Sequence, residues 1–175
     1  MVSEERIAHI LRMEEDAVDF AKIHGVDLER LKVAICAHDL FRDTSDMILI
    51  RIAKIWDIPL EKEEQAFPIL AHGKVAAEFL RRRFTIKDDE IFNAVAYHTS
   101  GCPTRSKIVM SLVVLDTLEH GRKFEGVEEL REIAAKSLEK GYEAVIKNKI
   151  VYALNRELLV LSESVRTWNY LKGVK

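Results

Sequence analysis

The chain has 175 residues, 48% of them hydrophobic, which is enough to bury the core of one domain. Its 27 basic and 29 acidic residues leave a net charge of -2, which excludes the large positive field of a protein that binds nucleic acid or anionic membranes. No run approaches the ~18 consecutive apolar residues of a membrane span, and the first residues lack the apolar segment of a signal peptide. We therefore expect a cytoplasmic protein without a nucleic-acid or membrane partner.

Apolar residues recur at three- and four-residue intervals almost throughout the chain, and no segment shows the alternation of a strand. We therefore expect an all-α fold, a bundle of about eight or nine helices in a single domain over residues 1–175. Ser3 can cap the first helix, Gly25 ends it, and Pro59 and Pro68 separate the third helix from the fourth. The second predicted helix begins at residue 28 and includes the motif at 34–43. The others cover, in chain order, residues 3–24, 43–56, 68–83, 88–99, 106–121, 126–136, 142–155 and 162–172.

Several polar residues fall on the apolar stripes of these helices, so their side chains are predicted to point into one interior. They are His9 in the first helix, the doublet His38 and Asp39 in the second, His72 in the fourth, His98 in the fifth and Asp116 in the sixth. A lone histidine on such a stripe is usually a hydrogen-bonded core residue, but a buried carboxylate is costly without a cation. Because lysines and arginines are scarce on these stripes, the pattern predicts a divalent metal bound by imidazole and carboxylate groups.

Two further histidines are predicted to lie outside this site. His24 precedes Gly25 at the end of the first helix, where a partial positive charge is favourable, so we expect a structural role. His120 follows the last turn of the sixth helix. It could overhang the pocket or lie in solvent, and we expect solvent.

The order of these residues, H…HD…D, resembles the ligand set that defines the HD superfamily of metal-dependent phosphohydrolases. Other stretches resemble its branch of symmetrical bis(5'-nucleosyl)-tetraphosphatases, which hydrolyse diadenosine tetraphosphate: "RIAHILRMEEDAVDFAKIHGVD", "AHGKVAAEFL", "AYHTSG", "VLDTLEHGRKFEGVEELREIA" and "TWNYL". The resemblance spans nearly the whole chain. Its most specific part is D-x-x-E-x-G-R-x-F-x-G-V-E-E-L-R, which runs here from Asp116 to Arg131.

The resemblance implies an HD-domain helical bundle that binds a divalent transition metal, with iron preferred and manganese or cobalt as alternatives. The implied metal ligands are His9, His38, Asp39 and Asp116. The implied contacts with the substrate, a dinucleoside polyphosphate or another nucleotide, are Arg42, His72, His98, Thr99 and Arg122. The implied catalytic residues are Asp39, His72, His98 and Arg122. Either Asp39 bridges two ions, with His72 and His98 on the second, or one ion is present and these histidines bind phosphate.

A divalent ion in such a pocket lowers the pKa of bound water and polarises the phosphoryl oxygen under attack. Arg42 and Arg122 would then clamp the polyphosphate, while His72 or His98 donates a proton to the departing oxygen or helps to hold a second ion.

Three activities fit this pattern: symmetrical cleavage of diadenosine tetraphosphate into two ADP, a phosphatase acting on nucleoside mono- or triphosphates, and a nucleotide-binding module with a weakened site. The binding module is suggested by two departures from the family pattern. The chain has "HDLFR" where the family has "HDxAK", and "EHGR" where the family has "EPGR". Because the chain retains all four metal ligands, hydrolysis is the favoured prediction.

Overall fold

The computed structural model describes residues 2–84 and 86–174. In these residues the regular structure is entirely helical, which confirms the predicted all-α fold, and no helix has the length and apolar character required to cross a membrane. The helices are α1 (Glu4–His24), α2 (Leu28–Ala37), α3 (Asp46–Ile55), α4 (Lys62–Ala66), α5 (His72–Arg83), α6 (Asp89–Tyr97), α7 (Lys107–Leu118), α8 (Val127–Lys136), α9 (Leu138–Asn155) and α10 (Ser162–Leu171), with a 3-10 helix at Pro68–Ala71.

The signals read from the sequence account for several helix ends. The Ser3 hydroxyl accepts a hydrogen bond from the amide of Arg6 at 3.4 Å and caps α1, which ends at Gly25 in the left-handed conformation with φ 62°. Asp27 caps α2 in the same manner by accepting from the amide of Arg30 at 3.1 Å. These short-range contacts depend only on neighbouring residues, and for that reason they were predictable.

The second helix is shorter than predicted, because α2 ends at Ala37 and the doublet lies just beyond it. The amide of His38 still donates to the carbonyl four residues back, whereas the amide of Arg42 donates to the carbonyl of Asp39, three residues back, at 3.0 Å. In this turn Asp43 accepts from the amide of Ser3 at 3.1 Å. The chain therefore leaves the helix without a glycine or proline, at the point where α1 contacts it.

A further helix, α4, was not predicted. It is five residues long and carries no apolar stripe, so the periodicity used for the other helices does not reveal it. A capping box marks its start: the amide of Glu61 donates to the carboxylate of Glu64 at 2.8 Å, and the Glu61 side chain accepts in return from the Glu64 amide.

The central helix of the fold is α7, which is buried on nearly every side. One of its faces, with Ile108 and Leu112, packs into a core formed with α1, α2, α5 and α6. The opposite face, with Val113 and Leu118, packs into a second core formed with α8 and α9. Asp116 lies in the last turn of α7 and is therefore carried by a helix that both cores hold in place.

Candidate metal centre and substrate cleft

All six polar residues predicted to face one interior do converge. Five of them are buried, and the side chain of the sixth, Asp116, is 15% exposed. They come from α1, the turn after α2, the start of α5, the end of α6, and α7. Asp39 lies at the middle of the group, with Oδ1 at 3.2 Å from Nε2 of His72 and at 3.5 Å from Nε2 of His98.

The other half of the centre is formed around Asp116. Its Oδ1 lies 3.2 Å from Nε2 of His9 and 3.8 Å from Nε2 of His38. His38 also lies 3.5 Å from Oδ2 of Asp39, so its imidazole stands between the two carboxylates.

Three of the histidines are oriented by the same local contact. In each, Nδ1 lies within hydrogen-bonding distance of the carbonyl three residues earlier: 2.7 Å for His38 and Ile35, 2.6 Å for His72 and Ile69, and 2.8 Å for His98 and Val95. A carbonyl oxygen only accepts, so Nδ1 carries the hydrogen and donates it. In the neutral ring the lone pair is then on Nε2, which faces the centre.

The centre consequently contains more acceptors than donors. Nε2 of His72 and Nε2 of His98 lie only 3.0 Å apart, and Nε2 of His38 is buried without a hydrogen-bond partner among the described residues. Burial and the neighbouring His98 lower the pKa of His38 to about 4, so this ring is neutral near pH 7. Lone pairs that face one another in a buried pocket are unfavourable, whereas a cation among them would satisfy them together.

The two carboxylates are in the ionised form. Burial of Asp39 opposes its ionisation, but the guanidinium of Arg6, which donates to Oδ2 at 2.7 Å, favours the charged form. Burial opposes the ionisation of Asp116 as well, but Arg122, which donates to Oδ1 at 3.1 Å, and the ammonium of Lys149 favour the charged form. Neutral imidazole and ionised carboxylate are the protonation states that bind metals.

The residues present therefore fit a divalent metal, as the HD pattern implies. Among the described residues there are two sets of three ligands whose atoms lie within 4.8 Å of one another inside each set: His9, His38 and Asp116, and His38, Asp39 and His98. His38 belongs to both groups, so the two sets of ligands are adjacent.

The prediction that the aspartates have no basic partner is wrong. Arg6 donates to Oδ2 of Asp39 at 2.7 Å, and Arg122 donates to Oδ1 of Asp116 at 3.1 Å. Lys149 lies 4.0 Å from Oδ2 of Asp116. These cations come from the first turn of α1, the turn after α7, and α9. Arg6 lies three residues before His9, on the same face of α1, whereas Arg122 and Lys149 lie outside the stripes that carry the ligands. The case for a metal consequently depends on the inward lone pairs of the histidines rather than on unpaired carboxylates.

The centre opens into a cleft of about 910 Å³. Polar side chains lie where the cleft meets the centre: Thr99, Asp116, Arg122 and Lys149. Apolar and aromatic side chains form much of the remaining wall: Phe67, Phe124, Tyr152, Leu158 and Leu159. The cleft therefore combines an end suited to anions with walls suited to flat apolar groups.

The remaining predicted substrate contacts have different positions. Thr99 lines the cleft, with its hydroxyl 3.2 Å from Nε2 of His98. Arg42 is half-buried in the turn after Asp39 and is not among the residues that line the cleft. Its proposed contact with phosphate therefore stays a prediction.

The two histidines predicted to lie outside the centre do lie outside it. His120 is half exposed, and its Nδ1 is 2.9 Å from Oδ1 of Asp16. For His24 the expected positive charge is wrong, because burial lowers the pKa of this ring. Lys107 supplies the charge at this helix end instead, by donating to the His24 carbonyl at 2.7 Å.

Gly73 allows α5 to approach α6 beside the centre. A Cβ at this position would lie 2.6 Å from the Val95 carbonyl oxygen and 3.1 Å from Nδ1 of His98, which donates to that same oxygen. We expect Gly73→Ala to lower the free energy of unfolding by about 1–3 kcal/mol, despite the better helix propensity of alanine, because the two backbones must separate. Urea unfolding and metal titration measure the two effects, and we expect metal affinity to fall as His98 is displaced.

Gly126→Ala is the control for this substitution. Gly126 has φ 83°, and none of the described residues has an atom within 4 Å of an added Cβ, so alanine costs about 1–2 kcal/mol through backbone conformation alone. We expect it to lose comparable stability and to keep its metal affinity. Equal metal affinities in the two variants would contradict the prediction for Gly73.

Comparisons with known proteins agree with this geometry. The HD domain family matches residues 6–159 of the chain. The symmetrical bis(5'-nucleosyl)-tetraphosphatases of Halalkalibacterium halodurans and Bacillus subtilis are each 28% identical to it, over 97% of this chain and 90% and 91% of their own lengths. A crystal structure from Clostridium acetobutylicum, described as a predicted HD superfamily hydrolase involved in NAD metabolism, has a TM-score of 0.92 and 28% identity, covering 99% of this chain and 92% of that one. The chain therefore belongs to the HD domain family, and its resemblance to the symmetrical bis(5'-nucleosyl)-tetraphosphatases is confirmed.

Proposed function

We propose that this protein is a metal-dependent hydrolase that cleaves dinucleoside tetraphosphates symmetrically, giving two ADP from diadenosine tetraphosphate. The observation that carries the proposal is the position of the histidine-carboxylate centre, whose Asp116 borders a cleft beside Arg122 and Lys149. Relatives named for this activity align with nearly the whole chain, so the proposal does not depend on a shared fold alone.

The proposed ligands of the metal are His9, His38, Asp39 and Asp116. Iron is the metal we propose, as the resemblance to the family implies, and a set of imidazoles and carboxylates without a thiolate suits iron, manganese and cobalt alike. An ion held by these residues would lower the pKa of bound water and withdraw charge from the phosphoryl oxygen. His72 and His98 present Nε2 lone pairs beside Asp39, which supports the arrangement in which they help to hold a second ion.

The cations at the inner end of the cleft would bind the phosphates. The Arg122 side chain is 40% exposed and presents a planar set of donors, which matches phosphate oxygens. Lys149 adds a point charge from α9, close to Asp116. Both groups would stabilise the charge that develops on the phosphoryl oxygens during transfer.

The size and walls of the cleft favour a dinucleotide over a single nucleotide. Its volume of about 910 Å³ is near the upper end of the 300–1,000 Å³ that is usual for ligand pockets. Phe67, Phe124 and Tyr152 offer aromatic surfaces for the bases. If Arg122 and Lys149 bind the phosphates that flank the central anhydride, at the inner end of the cleft, water attacks one of the two inner phosphorus atoms and an intact ADP leaves.

Product analysis tests the proposal. The metal-loaded protein is incubated with diadenosine tetraphosphate in ¹⁸O-labelled water, and early products are separated by chromatography and analysed by mass spectrometry. We expect ADP alone, with the label in half of the ADP molecules, because one of the two products receives the oxygen of water. AMP together with ATP would contradict symmetrical cleavage, and turnover of nucleoside mono- or triphosphates without turnover of the dinucleotide would favour the phosphatase.

A further inference from the structure

A carboxylate outside the ligand set lies directly behind the metal centre. Glu119 follows the end of α7, and its side chain is 1% exposed. It accepts from Arg12 through two contacts, Nε to Oε2 at 2.8 Å and NH2 to Oε1 at 3.1 Å. It also accepts from the amide of Gly121 at 2.6 Å, and its Oε1 lies 3.3 Å from Nδ1 of His9. A carboxylate paired in this bidentate way with an arginine is an acceptor only.

This contact explains the orientation of His9, which differs in its surroundings from the other three histidines. His38 and His98 use a carbonyl in the last turn of an α-helix, where carbonyls are free to accept, and His72 uses the Ile69 carbonyl of the short 3-10 helix, which also accepts from the amide of His72. His9 lies within α1, whose carbonyls are bonded along the helix. Its Nδ1 instead faces Glu119, an acceptor from elsewhere in the chain, while its Nε2 lies 3.4 Å from the donor NH2 of Arg122. With the hydrogen on Nδ1, the Nε2 lone pair of His9 faces Asp116.

The turn that carries Glu119 is itself held in place. Arg131 donates to three carbonyls of this turn, from Nε to Leu118 at 2.9 Å and from NH2 to Glu119 at 2.8 Å and to Arg122 at 3.1 Å. Gly121 leaves room for the contact, because a Cβ there would lie 2.3 Å from Nε of Arg12 and 2.9 Å from Oε2 of Glu119.

We infer that Glu119 is a positioning residue of the metal centre: it fixes the tautomer and the orientation of His9, and Arg12 and Arg131 hold it in the position to do so. The inference rests on the proposed function, in that His9 is taken to be a metal ligand. An acceptor behind a ligating histidine orients the ring and raises its basicity, and loss of such a partner typically weakens metal binding about 10- to 100-fold.

The test compares Glu119→Gln with Asp88→Asn. Asp88 also pairs with an arginine in a bidentate manner, through Nε and NH2 of Arg30 at 2.7 and 2.8 Å, and both substitutions replace a paired carboxylate by an amide. Mn²⁺ is titrated into the metal-free full-length proteins by calorimetry, and thermal unfolding of each is recorded. We expect Glu119→Gln to raise the Kd for Mn²⁺ by about 10- to 100-fold and Asp88→Asn to leave it unchanged. Equal Kd values in the two variants would overturn the inference.

A second measurement does not depend on the metal or on the variant. In the metal-free wild-type protein, ¹⁵N chemical shifts of the His9 ring report which nitrogen carries the hydrogen. We expect the hydrogen on Nδ1, and a mixture of tautomers in Glu119→Gln. A hydrogen on Nε2 in the wild type would overturn the inference even if the variant did not fold. A wild-type protein that binds no divalent metal would instead contradict the proposed function, and the tautomer would still show whether Glu119 sets the His9 ring.

Discussion

Asp39→Asn is expected to abolish most of the hydrolysis of diadenosine tetraphosphate while the helical fold is kept. Asp39 accepts from Arg6 at 2.7 Å and places its other oxygen 3.2 Å from Nε2 of His72, so it contacts both a cation and an inward lone pair. Asparagine is nearly isosteric, but it is neutral and its amide nitrogen cannot bind a metal. We expect kcat to fall at least about 10²- to 10³-fold, the loss found when one preorganised electrostatic contact is removed.

ADP formation and metal content measure this effect, and far-ultraviolet circular dichroism verifies the fold. Asp43→Asn is the matched control, because Asp43 lies in the same turn and contacts the same Arg6, at 3.4 Å, but among the described residues its partners are Ser3 and Arg6 and include no histidine. We expect this control to keep its metal and its activity. Wild-type activity in Asp39→Asn would contradict the proposed role of Asp39 as a metal ligand and catalytic residue.

Arg122→Ala is expected to have the second largest effect, through the substrate rather than through the metal. Arg122 lines the cleft and donates from Nε to the carbonyl oxygen of Asp116 at 3.0 Å, so its guanidinium is anchored beside the centre. Removing it leaves the metal ligands intact but takes a bidentate donor away from the phosphates. We expect kcat/KM to fall about 10²- to 10³-fold with the metal content unchanged.

Two other variants test whether the planar donors of Arg122 and its position in the cleft cause this loss. Arg122→Lys keeps the charge but not the planar donors, so we expect an intermediate loss of kcat/KM. Arg166→Ala removes a half-exposed arginine of α10 that pairs with Glu163 and is not among the residues that line the cleft, so it is expected to leave kcat/KM unchanged. If Arg122→Ala lost its metal and kept its activity per bound metal, Arg122 would be a part of the metal centre and not a phosphate contact.

The convergence of the histidines and aspartates could be predicted because it follows from helical periodicity. A residue such as His72 or Asp116 shares a stripe with core residues, so its direction is known once the helix is known. The exact path of the chain at the doublet could not be predicted, since no glycine or proline follows Ala37 and the helix ends where Asp43 contacts α1.

The basic partners of the two aspartates could not be predicted from helical periodicity alone, for a different reason. Arg6 and Asp39 are 33 residues apart, and Lys149 and Asp116 lie on α9 and α7, so each contact exists only after the helices have packed. Glu119 is different, because the stretch from Asp116 to Arg131 already contained it. Glu119 lies three residues after Asp116 in that stretch, but the H…HD…D pattern of metal ligands does not include it.

The local contacts of His38, His72 and His98 have a consequence for transient opening of the protein. Each ring is restrained by its own segment, so a momentary separation of neighbouring helices leaves its tautomer and its direction unchanged. His9 depends on a residue 110 positions away, and its restraint is lost whenever α1 moves away from the turn after α7. Dissociation of an ion during such fluctuations would therefore begin at His9, and the three self-oriented rings could recapture it without any exchange of protons.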